Sequence, residues 1–136
     1  MTFADDLAAV ASEELAYVHV DVTVHGNLYK LRFTQMDPFE WASEVDFHPA
    51  RTGVAIDQKY GYNLRSLTKA AAPLSGKLVE GDELVDVDDW PALLKAIGGY
   101  GFQRVSDAIW ALNEILPERA VEAAKKALVA TRKSSA

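Results

Sequence analysis

The sequence predicts an α+β domain, an N-terminal antiparallel β-hairpin packed with several short, mostly C-terminal α-helices, and three patterns carry that expectation. Val18, Val20, Val22 and Val24 alternate with His19, Asp21 and Thr23, the period of a half-buried strand. The alternation resumes beyond Gly26-Asn27 as Tyr29, Leu31 and Phe33. Asp37-Pro38 and Asp88-Asp89-Trp90-Pro91 each write a helix start, an acidic cap (Asp88 or Asp89 in the second) followed by a proline whose missing N–H costs nothing there. From Phe102, the apolar residues Phe102, Val105, Ile109, Leu112 and Leu116 recur at three-to-four spacing, one stripe of an amphipathic helix.

Taken in order, Asp6 to Glu14 reads as a two-turn helix with Leu7 and Val10 on one side. In the hairpin at 17–34, a turn at Gly26-Asn27 sets Val24 opposite Tyr29, Val22 opposite Leu31 and Val20 opposite Phe33. On the other face it sets Asp21 against Arg32 and Thr23 against Lys30. A capping box between Asp37 and Glu40 opens a helix running to about Asp46, with Phe39, Trp41, Ala42 and Val45 as its apolar face, and His48-Pro49 stops it. Residues 50–81 are the least legible stretch, with Arg51-Thr52-Gly53 and Tyr60-Gly61-Tyr62 reading as loop. Asn63 would cap a helix from Leu64 to Ala72 that Pro73 ends. Leu78 to Val85 is either a second small hairpin around Gly81-Asp82 or an extended loop. A helix from Trp90 to Ile97 ends at Gly98-Gly99, the Phe102 stripe forms the next, and Pro117 divides it from a last helix reaching about Arg132. The organisation is thus a single domain: N-terminal helix within 1–16, hairpin 17–34, helical body 37–116 and C-terminal helix 117–133, with Lys133-Ser134-Ser135-Ala136 as a frayed tail.

With 136 residues, 49% of them hydrophobic, the chain can bury a core without a disulfide or metal. It has no cysteine, which removes thiol catalysis, Cys-ligated zinc and iron–sulfur clusters. The net charge of −6 disfavours nucleic acid and anionic membranes as partners. Charge is unevenly spread: residues 1–50 carry 9 acids and 2 basic residues, while residues 101–136 carry 6 basic residues and 4 acids. Helix-dipole complementarity and an ordinary solvated surface account for this gradient, or else head-to-tail self-association or a charged partner does. The start has no basic segment and long apolar run of a secretory signal, and no stretch approaches the length of a membrane span, so a cytoplasmic location is expected.

Catalytic grammar is sparse. His19, His25 and His48 share no helical metal-pair spacing, and no nucleophile elbow or phosphate-binding loop is present. The acids from Glu80 to Asp89 lack the spacing of a calcium loop and read mainly as helix caps and solvated loop. Gly98-Gly99-Tyr100-Gly101 reads as a helix connection before an anion cradle. Proximity in sequence alone makes His48, Asp57 and Tyr60 the set to watch for an enzyme. The expectation is a non-enzyme with no catalytic, metal or cofactor residues. Trp41, Trp90 and Trp110 are core residues, or one of them is left exposed as a partner anchor.

The Val-rich hairpin ending in Tyr29-Lys30-Leu31-Arg32-Phe33, the Asp37-Pro38-Phe39-Glu40-Trp41 helix start, the Trp90 helix, and Ile109-Trp110-Ala111-Leu112-Asn113-Glu114 followed by Pro117 and a Lys-rich final helix occur together in this order. In this the chain resembles the tail assembly chaperones of long-tailed, non-contractile phages, particularly those infecting actinobacteria, over about residues 15–133. The resemblance implies a non-enzymatic protein of the infected host's cytoplasm that binds the tape measure protein and keeps it soluble while the tail tube polymerises around it. It also implies a longer product made by ribosomal frameshifting near the end of the gene. A tape measure protein is a long helical rod, so helix-in-groove contacts are expected, with Phe102, Val105, Ile109, Trp110 and Leu112 contributing to the groove. The competing reading makes this stripe the domain's own core. The alternative function is a structural virion component, a tail or head–tail connector subunit.

Overall fold

The computed structural model describes residues 2–134. It is an α+β fold, with a four-stranded antiparallel meander in the order β1-β2-β3-β4. Strands β1 (Tyr17–Val24) and β2 (Asn27–Thr34) come early, and β3 (Gly76–Glu80) and β4 (Glu83–Val85) follow after three helices. The helices are α1 (Phe3–Ser12), α2 (Pro38–Asp46), α3 (Ala55–Tyr60), α4 (Leu64–Ser75), α5 (Trp90–Ala96), α6 (Gly98–Trp110) and α7 (Leu116–Ser134), with a π-turn over Ala111–Ile115 joining the last two. Of the expected frayed tail, Ser135 and Ala136 lie outside the described residues, while Lys133 and Ser134 continue α7.

The hairpin forms where its alternation demands, with a corrected register. Val24 pairs with Asn27, Val22 with Tyr29, Val20 with Leu31 and Val18 with Phe33, and on the other face Asp21 meets Lys30 and Thr23 meets Leu28. The turn is therefore His25-Gly26, one residue earlier than expected. Both residues take positive φ, 53° and 77°, as the tight turn matching strand twist requires. Moving the turn by one residue slips the pairing by two. A two-residue slip keeps every side chain on its face, so Val20, Val22, Leu31 and Phe33 are buried in either register.

Leu78 to Val85 resolves as a hairpin, and β3 docks on β2 with Leu31 opposite Leu78 and Phe33 opposite Gly76. Gly76 is required there by space: a Cβ would lie 2.7 Å from both Phe33 and Trp90. The buried face of the sheet packs on α4 and α6, with Trp90 of α5 against Phe33, and the helices' contributions to the core include Leu67, Ala71, Trp90, Leu94, Val105 and Ile109. Each fully buried aliphatic or aromatic side chain contributes roughly 1.5–3 kcal/mol. Between α4 and α6 the buried polar pair is satisfied, with Thr68 Oγ1 2.8 Å from the Leu64 carbonyl and 2.9 Å from Ser106 Oγ.

The cap side chains accept as their chemistry predicts, but the capping box expected between Asp37 and Glu40 forms only by half, because no bond from the Asp37 amide back to Glu40 completes it among the described residues. Asp37 accepts from the amides of Phe39 and Glu40, Asn63 from Ser66, and Asp89 from Ala92. Several boundaries differ from expectation. Helix α1 starts earlier, at Phe3, because Thr2 and Asp5 close a capping box. The segment Ala55–Tyr60, expected as loop, is a short helix ended by Gly61 in the left-handed conformation. Helix α4 runs through Pro73 to Ser75, and α6 begins at Gly98, so the glycine-rich stretch is its first turn. Pro117 also fails to break the last helix. The π-turn at Ala111–Ile115 immediately precedes it and widens the hydrogen-bond ladder where the proline supplies no N–H and its ring would press on the Asn113 carbonyl. In α2, Trp41 is buried, Val45 is half-buried, and Phe39 and Ala42 face solvent.

Candidate functional site: a basic-rimmed groove and two exposed helices

The five residues expected to form a partner groove separate in the structure. Val105, Ile109 and Leu112 are enclosed in the core and offer no surface to a partner. Phe102 and Trp110 remain half-buried, but on different surfaces. Trp110 lies edge-on to Tyr60 with ring centroids 5.3 Å apart. Phe102 lines a groove of about 550 Å³ between α4, α5 and α6 together with Pro91, Leu94, Gly98, Gly99 and the two lysines Lys69 and Lys95. The groove is thus mostly apolar, and the charged residues lining it are both basic.

Two helices stand outside the core. Every residue from Phe3 to Ser12 is exposed, and so is every residue from Leu116 to Lys133. Phe3, Leu7 and Val10 occupy one side of α1 at i, i+4 and i+7. Leu116, Val121, Leu128 and Val129 are likewise exposed along α7. Helix α7 is also polarised, with Glu118 in its first turn and Arg132 and Lys133 in its last. Sequence reasoning found the apolar period of α1 and the charge polarity of α7 but not their exposure. A stripe at helical spacing reads the same whether it faces its own core or nothing.

The motif Ile109 to Glu114 works as a clamp. Asn113 Oδ1 accepts from the Met36 amide at 2.9 Å, while its Nδ2 donates to the Ile109 carbonyl at 2.8 Å. Glu114 Oε1 accepts from Trp41 Nε1 at 2.8 Å and from the Tyr62 hydroxyl at 3.5 Å. Burial first, then the neighbouring Glu114 charge, push the Tyr62 hydroxyl well above the usual tyrosine range. The π-turn is thereby tied to α2, to the chain leaving β2 and to the segment just before α4.

His48, Asp57 and Tyr60 do not gather. Asp57 is buried and occupied by Arg51, whose amide, Nε and Nη2 donate to it at 2.9, 2.8 and 3.1 Å. Those hydrogen bonds hold its carboxyl below the usual range. His48 Nδ1 pairs instead with Ser66 Oγ at 2.8 Å, and the cleft bordered by Asp57 and Tyr60 has a volume of only about 10 Å³. Among the acids from Glu80 to Asp89, Asp86 pairs with Lys77 and Asp89 caps α5. No group of three or more metal-ligating side chains converges among the described residues. Trp41 and Trp90 are core residues; the strongly exposed aromatics are Phe3, Phe39, Phe47 and Tyr100, none of which the sequence distinguished as surface.

No protein-family model, curated protein or solved structure matches the chain. Among the described residues, no helix is long and apolar enough to cross a membrane.

Proposed function

We propose that the protein is a phage tail assembly chaperone that binds the tape measure protein and keeps it soluble in the cytoplasm of the infected host during tail morphogenesis. One observation carries the reading: every residue of α7 from Leu116 to Lys133 is exposed, the apolar residues Leu116, Val121, Leu128 and Val129 among them. Leu116, Val121 and Leu128, with Ala120, Ala124 and Ala127 between them, share one broad side of α7, whereas Val129 lies on the charged side; an apolar side that nothing among the described residues covers suits packing against another long helix. Many copies so arranged would coat a helical rod and cover its apolar surface until the tail tube replaces them. The order of motifs that resembles the tail assembly chaperones supports the same reading.

Co-expression with a tape measure protein tests it. A soluble complex containing many copies of this chain is expected, and the double variant Val121→Asp/Leu128→Asp should lose solubilising activity while keeping its fold. Trp110→Ala, at the end of α6 where the π-turn leading into α7 begins, should weaken the activity. A tape measure protein that stays insoluble beside abundant folded chain would overturn the proposal.

A further inference from the structure

We infer that α1 of one copy docks in the groove between α4, α5 and α6 of a second copy, so that the chain associates head to tail. The groove supplies an apolar lining, Pro91, Leu94 and Phe102, and two lysines, Lys69 and Lys95. Helix α1 and the two residues after it supply the complement: Phe3, Leu7 and Val10 along one side and four acids, Asp5, Asp6, Glu13 and Glu14, with no basic residue between Thr2 and Glu14. Three anchors at this spacing are what a helix lays into a groove. Asp5 is engaged by the Thr2 cap, whereas Asp6, three residues after Phe3 and four before Val10, flanks the apolar side, where a lysine of the groove lining would meet it. Helix α7 is the poorer occupant, because it carries five basic residues against two acids and would bring like charge to Lys69 and Lys95.

The structure leaves α1 outside its own copy's groove, with every residue from Phe3 to Ser12 exposed, so the contact is one between copies. The root of α1 is held where the Ala16 carbonyl accepts from the Gln35 amide, next to Met36, which is tied to Asn113 beyond the C-terminal end of α6. The groove lies at the opposite, N-terminal end of α6, beside Gly98, Gly99 and Phe102. From Phe102 to Asn113 the helical rise is roughly 16 Å. Arm and groove are different surfaces of one copy, so the contact is heterologous and either closes into a ring, reciprocal exchange between two copies being the smallest, or repeats as an open chain. This inference does not depend on what α7 binds.

Sedimentation velocity of the full chain over a concentration series tests it, with circular dichroism as the check on folding. The wild type should associate as concentration rises. Leu7→Asp, which changes no core contact, and Lys69→Glu/Lys95→Glu should each be folded monomers. Mixed together, the two variants should form a dimer and nothing larger, because each keeps one intact half of the contact. A wild type that stays monomeric to millimolar concentration would overturn the inference, and so would docking of α1 in its own copy's groove, seen as concentration-independent protection of α1 from hydrogen exchange that Leu7→Asp removes. Association unchanged by Leu7→Asp, or no dimer in the mixture, would overturn it equally.

Discussion

The sheet with α4 and α6, and the terminal helices α1 and α7, use similar apolar residues in opposite ways. Phe33 is 0% exposed, whereas Phe3 is 79% and Leu128 53% exposed. In the first region Thr68 meets Ser106, and in the elements packed around it Glu114 meets Trp41 and Asp57 meets Arg51, so the polar groups are matched as closely as the apolar ones. In the second, apolar stripes lie open and their charges are sorted, acidic on α1 and basic toward the end of α7. The difference teaches that helical periodicity reports which face a helix will bury, but not against what.

Substitutions should separate the two regions by size of effect. Phe33→Ala should cost about 3–5 kcal/mol in urea unfolding, since it empties the centre of the core. Gly76→Ala should cost about 1–3 kcal/mol by forcing a methyl group against Phe33 and Trp90. Asp57 sharpens the comparison through pH. Its carboxyl is held below the usual range by Arg51, so the stability it contributes is present above the ordinary aspartate value and is lost as pH falls through its lowered value. Asp57→Asn should therefore be less stable than the wild type near neutrality, and the two unfolding midpoints should converge in acid. At the bottom of the scale, Leu7→Ala and Leu128→Ala should each change stability by less than about 0.5 kcal/mol. A larger loss at either position would erase the distinction between the regions.

Much of the fold was legible because local chemistry was unambiguous: the valine alternation, Asp37-Pro38, Asn63, and Asp89 before Trp90-Pro91 all do what their residue types favour. The hairpin register was not, because a slip of two residues leaves the same side chains in the core. Only the turn distinguishes the registers, through positive φ at His25, a conformation uncommon outside glycine. Pro117 misled for a different reason. A proline implies a break unless the ladder before it is widened, and the π-turn that widens it has no local signature. At the candidate site, Phe102 was legible as an apolar helix position, but its groove depends on how α4 and α5 pack beside it. The functions of Asn113 and Glu114 were hidden because their partners Met36 and Trp41 are far away in sequence.

The central claim is that α1 and α7 are interaction elements outside the cooperative core. Hydrogen exchange of the dilute monomer, resolved by segment, tests it most directly. The account predicts fast exchange along α1 and α7 beside slow exchange in β1, β2, α4 and α6. Protection of α7 equal to that of α6 in the monomer would contradict it.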